Sequence, residues 1–321
     1  VSDHSEYMGL VPEIRGGNPE LLKDPVGKQW YEWYNEGEDG QYQVFLNFAE
    51  DLANNEGRIE FDTIARSTWD MMAETADDFN EPGAFTAFIG YEWTSTPQGN
   101  NLHRVVIFKD DAEKASQVVP FSSFDSADPE DLWDYLAAYE ADTGGRVMAI
   151  PHNGNVSNGM MFDTETIGGE PLSPEYAKMR MRFERLHEVT QMKGDSETHP
   201  FLSPDDEVAD YGTWDKANLT GTASPTEEDL PGSYARSSLK RGLEIENQIG
   251  ANPYKTGFIG STDSHTSLAT AQEDNFFGKH SGAEPKPDRM GHPFMKNETG
   301  TTVSYTHLTL PTNTVTCRCG L

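Results

Sequence analysis

The sequence predicts an α/β fold, a layered sheet or a barrel of α/β units, and three observations carry that prediction. Short apolar runs stop abruptly at His or carboxylate residues: residues 85–91 before Glu92, 146–150 before Pro151 and His152, and 257–260 before the Ser261 to His265 cluster. Runs of this length without polar alternation suit buried parallel strands. Helical periodicity fills the intervals at residues 44–54, 59–78, 131–141 and 174–184, and alternation of the two patterns favours a parallel α/β architecture. Helix punctuation agrees, because Asp128-Pro129-Glu130 and Ser173-Pro174-Glu175 each supply a capping side chain followed by proline, and Gly144-Gly145 follows the first of these helices.

The elements can be justified in chain order. Residues 1–4 read as the end of a strand whose beginning is absent, carrying Asp3 and His4 at its tip. Trp30, Trp33 and Tyr34 follow Gly27-Lys28 as an aromatic group suited to core packing. Residues 205–233 and 283–297 are rich in Asp, Gly, Pro or charge and read as long surface loops at the rim of a site. Residues 301–321 turn Thr-rich and lose charge patterning, so they read as a non-native, unstructured tail. One domain over residues 1–300 is expected, with no repeat of fixed period.

Composition narrows the functional classes. A formal net charge of −30 over 321 residues repels nucleic acid and anionic lipid, so neither is expected as a partner. The same acidity serves as a solubilising surface. Cysteine occurs only at Cys317 and Cys319, which leaves His and carboxylates as the metal ligands of the body. No apolar run approaches the ~18 residues of a spanning helix. A soluble protein of the cytoplasm, the periplasm or the exterior is expected, its oligomeric state open.

Residues at the C-terminal ends of parallel strands converge on one face of a barrel, so ligands distant in sequence meet there. On this reading His4, Glu92, His103, His152, Asp263 and His265 are candidate metal ligands. A buried carboxylate at Glu92, between Tyr91 and Trp93, would be costly without a cation. His103 and Arg104 open the apolar run 105–108, and strand alternation sends them to opposite faces. Asp3 and Asn153 are candidate orienting partners behind the ligands. Arg104, Lys193 and His199 are candidates for handling substrate charge or a proton. His280, His292 and His307 read as surface residues. Glycine patterns match neither a P-loop nor a dinucleotide fingerprint.

Ser2-Asp3-His4, Tyr91-Glu92-Trp93-Thr94, Leu102-His103-Arg104, Pro151-His152-Asn153 and Asp263-Ser264-His265, taken in order, resemble the polymerase and histidinol phosphatase (PHP) superfamily. Within it, these motifs look more like the branch catalogued as a domain of unknown function. The resemblance extends from the first residue to about residue 297 and implies a distorted (β/α)7, TIM-like barrel with its first strand missing. It matches His4 to the family's Asp-His motif, Glu92 to the bridging carboxylate, His103 and His152 to the two single histidines, and Asp263 and His265 to the closing Asp-x-His. The opening His-x-His motif has no counterpart here.

The resulting expectation is a metal-dependent hydrolase of phosphate, phosphonate or sulfate esters. Two or three divalent ions, Zn or Mn, would generate a bound hydroxide that attacks a small anionic ester. The alternatives are a metal-dependent amide hydrolase or deacetylase, and an inactive module that binds metal or anions. A formylglycine sulfatase signature is absent from the sequence.

Overall fold

The computed structural model describes residues 2–267, 278–280, 286–287 and 292–293. Among them, two small sheets carry the architecture. The first has the order β1 (Asp3–His4), β2 (Ile89–Trp93), β3 (Arg104–Phe108), β4 (Val147–Pro151). In the second, β5 (Leu186–Gln191) lies between β6 (Gly194–Asp195) and β7 (Gly257–Gly260).

This is an open, mixed α/β fold, which corrects the expected TIM-like barrel. β1 runs parallel to β2 and β5 parallel to β7, but β3 is antiparallel to both of its neighbours, and β6 is antiparallel to β5. The edges of β4 and β5 pack together, yet no hydrogen-bonded ladder joins the sheets among the described residues. The physical reason for the antiparallel turn lies in residues 94–103, which connect β2 to β3 with only a single-turn helix. A parallel crossover needs about a dozen residues or more, so this connection returns the chain beside the strand it has just left. Residues 85–88, read as part of a buried strand, stay outside the sheet, with Phe85 and Phe88 exposed and Phe85 bridged to Glu81.

The periodic stretches fold as helices Glu38–Asn54, Asp62–Phe79, Pro129–Thr143 and Pro174–Phe183. The last two start by local chemistry: Asp128 accepts from the Glu130 amide at 2.9 Å and Ser173 from the Tyr176 amide at 3.0 Å, each followed by a proline that needs no donor. Gly144 closes the first of these helices in the left-handed region at φ 66°. Trp69, Trp133, Tyr91, Phe108 and Tyr139 form the main core between sheet and helices, while Trp30 packs with Tyr7 and Phe48 in a second cluster nearer the N-terminus. Residues 205–229 hold neither helix nor strand, although their Trp214 is buried against Val156 and Ala217. The proposed tail at 301–321 and most of 283–297 lie outside the described residues.

Candidate metal centre

Strand register builds the centre. Arg104 pairs with Trp93 on one side and Pro151 on the other, so the next residues outward on the three strands are Thr94, His103 and His152. Because β3 is antiparallel, its beginning lies at the edge where β2 and β4 end. His103 therefore joins Glu92 and His152 by preceding a strand, whereas they stand at or just beyond strand ends. On β1, His4 pairs directly with Glu92.

Three buried ligand atoms, from Glu92, His103 and His152, lie within 4.8 Å of one another. Oε1 of Glu92 is 3.0 Å from Nδ1 of His103 and 2.9 Å from Nε2 of His152, and Oε2 is 3.7 Å from Nδ1 of His4. Burial opposes ionisation of Glu92, but the imidazoles of His4, His152 and His103 outweigh it and hold the carboxyl well below its usual range. Burial pushes His103 down to about 3 despite Glu92 beside it. For His152 the Glu92 charge overcomes burial, and its affinity for a proton rises.

The Thr96 hydroxyl lies 3.0 Å from the Thr94 carbonyl and 3.0 Å from Nε2 of His103. The tautomer with its proton on Nε2 fits both contacts, and it would leave the Nδ1 lone pair for a cation shared with Glu92 and His152. An N,N,O donor set of this kind suits a divalent metal ion. The centre fits one divalent metal ion.

A second group stands beside it. Asp263, in the left-handed region at φ 53°, receives Nζ of Lys193 at 2.8 Å on Oδ2 and Nζ of Lys279 on the same oxygen. Burial opposes its ionisation, but the two ammonium groups prevail and lower its pKa. His265 places Nδ1 2.9 Å from the Asp263 carbonyl and 2.9 Å from Lys279 Nζ. Burial, with Lys279 adding to it, lowers His265 to about 4. The His265 ring lies 5.7 Å from that of His4, which in turn lies 6.1 Å from His103, so His4 connects the two groups. Lys193 reaches the site from the two-residue turn between β5 and β6 and is itself buried.

Other expected residues lie elsewhere. Arg104 faces away from His103, with Nε donating to Glu184 Oε1 at 3.0 Å and its guanidinium 5.7 Å from the Trp93 ring centroid. Glu184 is shared with Arg180, whose Nε is 3.0 Å from Oε2, and these residues form a buried ionic group under the sheet. His199 pairs with Asp215 at 2.9 Å and accepts from the Phe201 amide at 3.1 Å, outside the His and carboxylate cluster. Asp3 is exposed. The buried carboxylate near that strand is Glu6, whose Oε1 accepts from the amides of Thr94 at 3.2 Å and Ser123 at 2.6 Å. Asn153 braces the turn after β4 by accepting from Gln191 Nε2 at 2.7 Å.

Sequence reasoning missed Lys279 and Glu188. Lys279 stands in no recognisable motif, and nothing in the sequence linked it to Asp263. Glu188 left a weak signal, a carboxylate inside an otherwise strand-like stretch; it is buried, and burial pushes it up to about 7. His280, read as a surface residue, has its ring 5.1 Å from that of His265.

A family model described as a protein of unknown function, DUF3604, matches residues 1–311. The chain belongs to the DUF3604 family. No curated protein and no solved structure gave a significant match. The open sheets of this DUF3604 chain do not match the closed barrel of the PHP superfamily, so that assignment, and the phosphoesterase or sulfatase identity it implied, is not carried by the fold. What stands is a DUF3604 domain with a buried Glu/His/His cluster that supports a metal-dependent catalytic site. Among its described residues no helix is long and apolar enough to cross a membrane.

Proposed function

We propose that this chain is a metal-dependent hydrolase of phosphate, phosphonate or sulfate esters. The observation that carries the reading is the placement of two buried lysines, Lys193 and Lys279, on Asp263 beside the Glu92, His103 and His152 cluster. In a chain of net charge −30, ammonium groups gathered at one site favour an anionic substrate there. Glu92, His103 and His152 would hold one Zn or Mn ion, and His4, Asp263 and His265 would supply ligands for one or two more. A divalent ion so held supplies Lewis-acid polarisation of the ester and lowers the pKa of a coordinated water.

The chain's own residues have separable tasks. Thr96 fixes His103 with Nδ1 toward the centre, and Thr94, 2.6 Å from Nδ1 of His4, fixes that ring. Lys193 and Lys279 bind the charged oxygens of the ester, and preorganised charges of this kind act most strongly where charge develops in the transition state.

The test is turnover of 4-nitrophenyl phosphate, phenylphosphonate and sulfate by the Mn- or Zn-loaded chain, alongside a panel of amides. Ester cleavage that stops with chelator and returns with metal is expected. Cleavage of amides alone would identify an amide hydrolase, and metal binding without any turnover would identify a binding module; either result overturns the proposal.

A further inference from the structure

Each histidine that meets the Glu92 carboxylate must keep its remote ring nitrogen satisfied if the near one is to face a cation. His103 has Thr96 for this purpose, whereas His4 meets both Glu92 and the Thr94 hydroxyl through Nδ1. His152 has no such partner: its Nε2 faces Glu92, while its Nδ1 is buried without a hydrogen bond. An imidazole that ligates through Nε2 carries its proton on Nδ1, and a buried N–H left unpaired is costly.

One nearby acceptor is equally unsatisfied. Glu188 is 7 % exposed, and its Oε1 is buried without a hydrogen-bond partner. It lies on β5, the strand packed against β4, directly beyond which His152 stands. Strand alternation directs it away from the main core, because the preceding His187 packs its ring 4.8 Å from Phe162. An irregularity in the β5–β7 register falls between Glu188 and Thr190, and such bulges redirect side chains beside functional sites. Glu188 and His152 also lie within one another's electrostatic field.

We infer that Glu188 is a positioning residue that accepts the Nδ1–H of His152 through one water, and so holds Nε2 toward the metal. The assignment rests on the metal centre of the proposed function and adds to it a carboxylate outside the ligand set. Carboxylates behind metal-binding histidines fix the tautomer and raise ligand basicity, and losing one costs about 10–100-fold in metal affinity.

The experiment is titration of the metal-free full chain with Zn²⁺ alone, comparing wild type, Glu188→Leu and Glu188→Gln, with the metal-free melting temperature measured for each. Leu removes the acceptor and should weaken binding by about 10–100-fold, whereas Gln retains an acceptor oxygen and should stay within about threefold of wild type. Wild-type affinity in the Leu variant would overturn the inference and leave the metal centre standing. Equal losses in Leu and Gln would show that charge alone matters, which also overturns it. No Zn²⁺ uptake by wild type would overturn the metal centre itself. The wild-type chain gives an independent readout should a variant fail to fold: a slowly exchanging Nδ1–H signal from His152 in the Zn-loaded protein, assigned by its loss in His152→Gln. Absence of that signal contradicts the assignment.

Discussion

Nδ1 of His103 faces Oε1 of Glu92 across 3.0 Å, while the Thr96 hydroxyl stands 3.0 Å from the opposite nitrogen of the same ring. With its proton on Nε2 the ring would offer Nδ1 to a cation shared with the carboxylate. β-strand register sets the arrangement, since His103, Thr94 and His152 are the next positions outward on three neighbouring strands.

Thr96→Val tests the role of the hydroxyl. Valine keeps the shape and removes the acceptor for Nε2–H, so Zn²⁺ affinity is expected to fall by about 10–100-fold. Competition with a chromophoric chelator measures it; unchanged affinity would mean that the His103 tautomer is set by something else.

The pH dependence of metal binding follows from His152. Burial lowers its proton affinity, the Glu92 charge and hydrogen bond raise it by more, and the net direction is upward from 6.5. A cation must displace that proton, so affinity is expected to rise with pH and to level off only above the raised His152 pKa. Titrations from about pH 6 to about pH 9 check this, and a flat profile would show that no proton is displaced.

Glu184 carries a separate prediction about stability. Burial opposes its ionisation, but Arg104 and Arg180 outweigh it and leave its pKa below the usual 4.5. A depressed folded-state pKa contributes stability that is present above the unfolded value and is lost as pH falls through the folded one. Glu184→Gln strands two buried guanidinium groups and is expected to cost about 3–5 kcal/mol at neutral pH, with Zn²⁺ affinity unchanged. Denaturant unfolding of both forms between neutral and acid pH measures the difference.

His199→Ala is expected to leave Zn²⁺ affinity unchanged, because the ring is held by Asp215 and the Phe201 amide. Weakened binding in that variant would place the Asp215 pair in communication with the metal centre.

The legible part of the molecule was local chemistry. Asp128-Pro129 and Ser173-Pro174 start helices, and strand alternation separates His103 from Arg104, whose guanidinium meets Glu184. The strand directions were not legible. An apolar run such as Val105 to Phe108 has the same composition in a parallel or an antiparallel neighbour, and the short connection at residues 94–103 decides between them. The partners of buried charges were equally hidden: Glu188 and Lys279 acquire their surroundings from segments distant in sequence, and no local pattern marks either one.

The central claim is a cation site made by Glu92, His103 and His152, and calorimetric titration of the metal-free full chain with Zn²⁺ tests it most directly. The account expects saturable binding of at least one ion per chain, lost in a His103→Ala/His152→Ala double variant whose melting temperature shows that it still folds. Absence of binding by the wild-type chain, or full wild-type affinity in the folded double variant, would contradict it.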